Sequence, residues 1–141
     1  MIAPVIAPAI APVIALHHVQ VCCPPDGEDQ ARRFYGDGLG LTEVEKPGDL
    51  RDRGGAWFRA YDERGAVVAE LHVGVEEGFV AARRAHPAFV VADLDAGAAS
   101  VRAAGFEVDQ SERETLPGYL RFHTRDAAGN RVEVLQRSPE S

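Results

Sequence analysis

Two histidines and two glutamates occupy matching places in two similar stretches of this chain. His18 heads the run H-V-Q-V-C-C and His86 heads H-P-A-F-V-V, while Glu70 lies in V-A-E-L and Glu133 in R-V-E-V-L. The spacing between the histidines nearly equals that between the glutamates, so each half of the chain carries one imidazole and one carboxylate at equivalent positions. Two halves related by an approximate twofold would aim these side chains at one centre. Two imidazoles with two carboxylates suit one borderline divalent ion such as Zn, Ni, Co, Mn or Fe(II). Such a ligand set leaves coordination positions open, as a catalytic site requires.

Each candidate has a plainer reading beside it. A glutamate in a strand can face water, because alternate residues point to opposite faces. Glu133, however, shares its face with Leu135, and a carboxylate on an apolar face must be buried and paired. For Glu70 the choice stays open, because His72 lies on the same face two residues on. Either is the fourth ligand, or one binds metal while the other acts on substrate. Glu133, Glu70 and His72 are therefore also the candidates for proton transfer. His123, on the strand before Glu133, is either an acid–base group lining the cavity or an ordinary exposed histidine. His17 points away from His18, toward the surface or a subunit contact. Arg83 and Arg84, just ahead of His86, either attract an anionic substrate or are a solvated charge pair. Trp57 and Phe58 are candidates for the pocket wall, one of them belonging to the core.

The elements that must position these groups repeat as well. In the first half, Leu16–Cys23 reads as a strand, broken by Pro24-Pro25-Asp26-Gly27. Residues 28–36 read as a helix with Ala31, Phe34 and Tyr35 on one face, Asp26 as its cap and Gly36, Gly38 and Gly40 as its stop. Strands follow at 41–45, 55–61 and 67–75, the last two joined by the Asp62–Gly65 turn. The second half restarts with a strand at 86–91 and a helix at 94–104, with Leu94, Ala98 and Val101 in one stripe. Asp93 caps that helix and Gly105 ends it. Strands at 106–109, 120–124 and 131–135 complete it, the last pair turning at Gly129-Asn130. Both halves thus read β-α-β-β-β, an α+β fold of two tandem modules forming a curled mixed sheet with a central cleft. The modules are expected at about 16–76 and 86–137, between a low-complexity Ala/Pro arm (1–15) and a short tail (138–141).

Composition narrows the functions. The chain has 141 residues, 45% of them apolar, enough to pack one core. Its net charge of −7 excludes a duplex nucleic-acid binder and an anionic membrane surface, both of which demand a basic face. Cys22 and Cys23 are neighbours, a poor geometry for a disulfide and the wrong spacing for a zinc motif, so they read as reduced thiols in a cytoplasmic protein. Residues 1–15 repeat proline every four residues without a preceding Lys or Arg, which favours a flexible or polyproline-like arm over a targeting signal.

The runs H-V-Q-V, F-Y-G-D-G-L-G-L, G-G-A-W-F, E-L-H-V-G-V-E, A-H-P-A-F-V-V-A-D-L and G-N-R-V-E-V-L resemble the glyoxalase / bleomycin-resistance / dioxygenase (vicinal oxygen chelate) superfamily over about residues 16–137. Phe34-Tyr35 with Leu39-Gly40-Leu41, and Asp126 with Gly129-Asn130-Arg131 and Glu133, are its most specific marks, although Ala127 stands where the family usually has proline. The resemblance implies metal ligands at His18, Glu70, His86 and Glu133, or at His18, His86 and Glu133 alone as in fosfomycin-resistance members. It also implies a homodimer acting on a small molecule. Two functions compete. One is a divalent-metal lyase, isomerase or dioxygenase acting on a small substrate with vicinal oxygens. The other is a metal-free binding protein that sequesters a flat drug, as bleomycin-resistance relatives do. A module serving only protein contacts has no use for the ligand-type residues.

Overall fold

A computed structural model describes residues 10–139; the expected arm at 1–15 and tail at 138–141 therefore lie partly outside the described residues. The first module runs β1 (Val19–Cys23), α1 (Glu28–Ala31, continuing as a wide-turn π-type helix over Arg32–Gly38), β2 (Thr42–Val44), β3 (Ala56–Tyr61) and β4 (Val67–Val75). A 3-10 segment, Gly48–Arg53, sits between β2 and β3. The second module runs β5 (Ala88–Val90), α2 (Leu94–Ala103), β6 (Val108–Asp109), β7 (Tyr119–Arg125) and β8 (Arg131–Arg137). Each module forms a four-stranded mixed sheet, in the order β1-β4-β3-β2 and β5-β8-β7-β6. The two orders are the same, with a parallel pair (β1–β4, β5–β8) and antiparallel partners beyond it. The α+β fold of paired βαβββ modules read from the sequence is the fold observed, built as two open sheets.

Period-two alternation sorts the strand residues onto two faces. Phe58, Leu71 and Val73 in the first module, and Phe122, Val132 and Val134 in the second, are buried under the helices. The helices bring Phe34, Tyr35, Leu94, Ala98 and Val101 to the same core, which is continuous through both modules. Completely burying each Phe or Leu contributes about 1.5–3 kcal/mol. The opposite faces carry Trp57, Arg59, Glu70 and His72 in the first module and Arg121, His123, Arg131 and Glu133 in the second.

Local chemistry explains most boundaries. Asp93 caps α2 by accepting from the Ala96 amide at 3.1 Å, and Gly105, at φ +100°, ends it. The expected cap of α1 is absent: Asp26 sits at φ +66°, Gly27 takes the N-cap position, and no side chain caps the helix. Nor do the glycines stop α1 early. The chain widens its turn instead and carries the helix through Gly38, placing Phe34 and Tyr35 in the core. At Gly55 (φ +85°) a Cβ would lie 2.1 Å from the Val73 carbonyl oxygen, so only glycine admits β3 this close to β4.

Several long-range hydrogen bonds join the modules, and the Ser100 hydroxyl on α2 donates to the Gly38 carbonyl at 2.8 Å. The Tyr35 hydroxyl, fully buried, donates to Asp126 at 2.7 Å, and Asn130 Nδ2 donates to the Cys22 carbonyl at 2.8 Å. Asp126 also accepts from the Ala128 and Asn130 amides at 3.0 and 2.9 Å, which shapes the β7–β8 turn. One carboxylate thus holds both its own turn and the other module's helix. Among the described residues no helix is long and apolar enough to cross a membrane.

Candidate functional site

On the second module's open face, β8 presents Glu133 directly opposite His123 of β7. His86, just ahead of β5, reaches the same carboxylate. Its Nε2 lies 2.9 Å from Glu133 Oε1, and His123 Nε2 lies 3.6 Å from that oxygen. One donor atom from each of His86, His123 and Glu133 falls within 4.8 Å of the others, and no other group of three such residues does so among the described residues. Glu133 is 5% exposed and His123 6%, while His86 is exposed, so two of the three groups are shielded and the cluster opens to solvent at His86.

The hydrogen bonding of His86 fixes what the cluster lacks. Its Nδ1 contacts the Arg84 carbonyl oxygen at 2.5 Å, and a carbonyl can only accept, so the ring proton sits on Nδ1. Nε2 then turns a lone pair toward a carboxylate oxygen 2.9 Å away. Two acceptors at that separation need a cation between them, either a second proton or a metal ion. Ligands bonded at about 2.0–2.2 Å and about 90–110° apart lie roughly 3–3.5 Å from each other, close to the 2.9 and 3.6 Å at which the two imidazoles stand from Glu133 Oε1. The histidine–carbonyl contact is also the usual outer support of a metal-bound imidazole. The donor set therefore fits a divalent ion held by His86, His123 and Glu133.

Glu133 is further held by Arg121, whose Nη1 donates to Oε2 at 3.3 Å. The same guanidinium donates to Thr115 Oγ1 at 2.7 Å and to the Glu112 carbonyl at 3.2 Å. Burial pushes the Glu133 carboxyl up, but its close contacts with His86 and Arg121 outweigh it and hold the group below the ordinary glutamate value. Burial, with the nearby Arg131 charge second, pushes His123 below the ordinary histidine value.

The first module builds a different cluster. Arg59 on β3 pairs in register with Glu70 on β4, and its Nε donates to Oε1 at 2.7 Å. His72 Nε2 meets the other oxygen at 2.6 Å. The His72 ring is sandwiched, with Trp57 stacked on one side at 3.8 Å and His18 at 4.0 Å between ring centroids. Burial raises the Glu70 carboxyl, but His72 and Arg59 bring it below its ordinary value, while burial dominates at His72 and lowers it.

Of the residues singled out in the sequence, the structure brings His86 and Glu133 into direct contact. It places His18 and Glu70 in the other module, outside that three-donor cluster. His18, Glu70 and His86 nevertheless line one cavity of about 480 Å³ between the start of β1 and the start of β5, together with Leu16, Val68 and Phe89. His72 stands beside Glu70, and His123 joins the donor cluster. Trp57 faces the open side and Phe58 the core. His17 contacts His18, Nδ1 to Nδ1 at 3.0 Å. Arg84 contributes its carbonyl rather than its charge. The two arginines on the carboxylates, Arg59 and Arg121, went unnoticed in the sequence. Their signal was available: each lies on a strand directly preceding its glutamate's strand, at the parity that shares the glutamate's face.

The family model described as the Glyoxalase/Bleomycin resistance protein/Dioxygenase superfamily matches residues 15–134. Among solved structures, a protein assigned to the glyoxalase family from Bacillus anthracis is 37% identical, with a TM-score of 0.78 over 89% of this chain and 97% of that one. TnmS3, an antibiotic binding protein from Streptomyces sp. CB03234, is 22% identical with a TM-score of 0.61, covering 89% of this chain and all of that one (100%). The fosfomycin resistance protein FosX from Listeria monocytogenes is 11% identical with a TM-score of 0.64, over 92% of this chain and 95% of that one. Those two show likeness of fold alone. No curated protein matches the sequence. With a family model spanning most of its length and its module order reproduced in both sheets, the chain belongs to the glyoxalase / bleomycin resistance protein / dioxygenase superfamily.

Proposed function

We propose that this protein is a divalent-metal-dependent enzyme of glyoxalase type, a lyase, isomerase or dioxygenase acting on a small substrate that carries adjacent oxygens. The observation that carries this reading is the contact of His86 Nε2 with Glu133 Oε1 at 2.9 Å while His86 Nδ1 is engaged by a carbonyl. His86, His123 and Glu133 would hold the ion, with His18 or Glu70 available across the cavity as a further ligand. A bound divalent ion would supply Lewis-acid polarisation of substrate oxygens. Arg121 holds Glu133 Oε2 and so leaves Oε1 as the donor oxygen. Glu70 lines the same cavity as His86 and is ionised, held below its ordinary value by His72 and Arg59, and it is the candidate to take a proton from substrate once those donors are displaced. His72 and Arg59 orient it. The family resemblance adds a homodimer to this reading, and the free thiols of Cys22 and Cys23 suit a cytoplasmic setting.

Elemental analysis of the purified protein and titration of the chelator-treated chain with Zn²⁺, Mn²⁺ and Ni²⁺ test it. Close to one ion per site is expected, lost in His86→Ala and Glu133→Ala. No uptake of any of the three ions, or uptake unchanged in both variants, overturns it.

A second reading rests on the stack of His18, His72 and Trp57. A flat ligand could replace the exposed His18 ring on the face of His72, which suits a metal-free protein that sequesters a planar drug, and TnmS3 is an antibiotic binding protein on the same fold. Tight binding of an aromatic cation without metal, lost in Trp57→Ala, favours that alternative.

A further inference from the structure

A larger cavity than the one between the modules opens elsewhere in the described residues. It has a volume of about 560 Å³ and lies at the β6–β7 side of the second module, against His123, Arg125 and Arg131, with Phe106 and Val108 as its apolar wall. Three independent features of this cavity ask for the same missing group.

The first is an electrostatic conflict. Arg125 and Arg131 are direct cross-strand partners at the β7–β8 end. Like charges directly opposite each other in an antiparallel pair are destabilising. Among the described residues, neither guanidinium has a carboxylate within 4.0 Å, although the chain as a whole is acidic. Arg125 donates only to the Gly129 carbonyl at 2.9 Å, and the Arg131 side chain, half-buried, has no hydrogen bond among the described residues. The second feature is an orphaned polar atom. His123 Nδ1 is the one buried side-chain nitrogen or oxygen among the described residues without a hydrogen-bond partner. A buried, unpaired polar atom is costly, and a ring whose other nitrogen serves a metal normally donates this hydrogen to an acceptor. The third is shape. An arginine pair and an imidazole at one side, and Phe106 and Val108 at the other, match a molecule with a charged end and an apolar body. Two carboxylates also line the cavity: Asp109, directly across the ladder from His123, is exposed and accepts from the Ser111 amide at 2.9 Å, and Glu107 is exposed, yet neither reaches His123 Nδ1, which has no hydrogen-bond partner.

We propose that this cavity is a subsite for a small organic carboxylate, whose oxygens accept from Arg131, Arg125 and His123 Nδ1 while its apolar part lies on Phe106 and Val108. The subsite adjoins the donor cluster through His123 and stands whether or not that cluster binds a metal. If the metal reading also holds, the substrate or its product is an anion, anchored on one side of His123 and presented to the cluster on the other. Bidentate capture of a carboxylate is the task to which arginine is best fitted.

Benzoate is the probe, with benzamide as its uncharged counterpart. The ¹⁵N-labelled full chain, treated with chelator so that no metal is present, is titrated with each at constant ionic strength. The signals followed are the His123 ring nitrogens and Arg131 Nε. Saturable shifts at both groups are expected with benzoate, with a Kd of about 1 mM or tighter. Benzamide should bind at least about 10-fold more weakly, the loss of a charge-assisted contact. Arg131→Gln should weaken benzoate by a similar factor without changing the amide spectrum elsewhere, and Arg131→Lys should restore part of the affinity. The inference is overturned by an absence of saturable shifts, by equal binding of benzamide, by full affinity in Arg131→Gln, or by shifts confined to His18 and Glu70. A separate Zn²⁺ titration of the same sample reports on the metal reading, so failure of one is not mistaken for failure of the other.

Discussion

The two sheets share a strand order, yet their open faces have been put to opposite uses. In each, a glutamate sits on the last strand with an arginine bonded to it: Arg59 on Glu70 and Arg121 on Glu133. The residues around that pair differ. Directly across from Glu70 stands Arg59 itself, whereas His123 is directly across from Glu133. Two residues along, the first module has His72 opposite Trp57, and the second has Leu135 opposite Arg121. The first module therefore neutralises its carboxylate with two donors and closes an aromatic stack over it. The second leaves one carboxylate oxygen facing two imidazoles, with a row of arginines beyond. A duplicated backbone supplies matched positions, and which side chain stands opposite the carboxylate decides whether the position is sealed or left open for a ligand.

Loss of metal is the strongest way to break this contrast. Glu133→Ala should lower divalent-ion affinity by well over the roughly 10–100-fold that outer-shell changes cause, while Glu70→Ala should leave it within that range. Calorimetric titration with Zn²⁺ measures both, and equal losses would erase the distinction between the faces. The next effect concerns the tie between modules. Asp126→Ala strands the buried Tyr35 hydroxyl and two turn amides, so thermal unfolding should show a loss of about 2–3 kcal/mol. Arg121→Lys is milder. It keeps the charge but loses the fork that joins Glu133 to Thr115 and Glu112, and metal affinity should fall by about 10-fold.

Acid should act on both faces alike, and this sharpens the comparison by showing what they share. His72 and His123 are held below their ordinary value of 6.5, and Glu70 and Glu133 below 4.5. A lowered folded-state value means the unfolded chain binds protons first. These groups add stability above their unfolded values and lose it as pH falls through the folded ones. Melting temperature should therefore decline as pH drops below about 6.5 and more steeply below about 4.5. A flat profile across that range would contradict the buried pairing described for both carboxylates. The smallest expected effect is Trp57→Phe, which keeps a stacking ring on His72 and should cost less than about 1 kcal/mol by chemical denaturation.

Much of this arrangement was legible before any coordinates, because it depends on periodicity. Alternation in β4 and β8, the Asp93 cap and the Asp62 and Asp126 turns are local, and local physics writes them into short runs of residues. The carboxylate of Glu133 had to be buried and paired because Leu135 shares its face, and it is. Local reasoning failed at α1. Asp26 has the residue type of a cap, but the chain turns through a left-handed conformation there, and burial of Phe34 and Tyr35 carries the helix past its glycines.

What the sequence by itself determined is the repeat: two βαβββ modules, the parity of every strand residue and hence which histidines and glutamates lie on an open face. Only the tertiary structure decided which of those side chains meet. Val19 pairs with Leu71, which sets His18 level with Glu70, whereas Ala88 pairs with Glu133 and leaves His86 two residues earlier. The near-equal spacing of the two histidine–glutamate sets hid this slip. Ladder register depends on bulges and turn lengths spread over distant residues, and a shift of two residues keeps a side chain on its face while changing its neighbour. That is why parity could be read along the chain, and why the partnership of His123 with His86 and Glu133 could not.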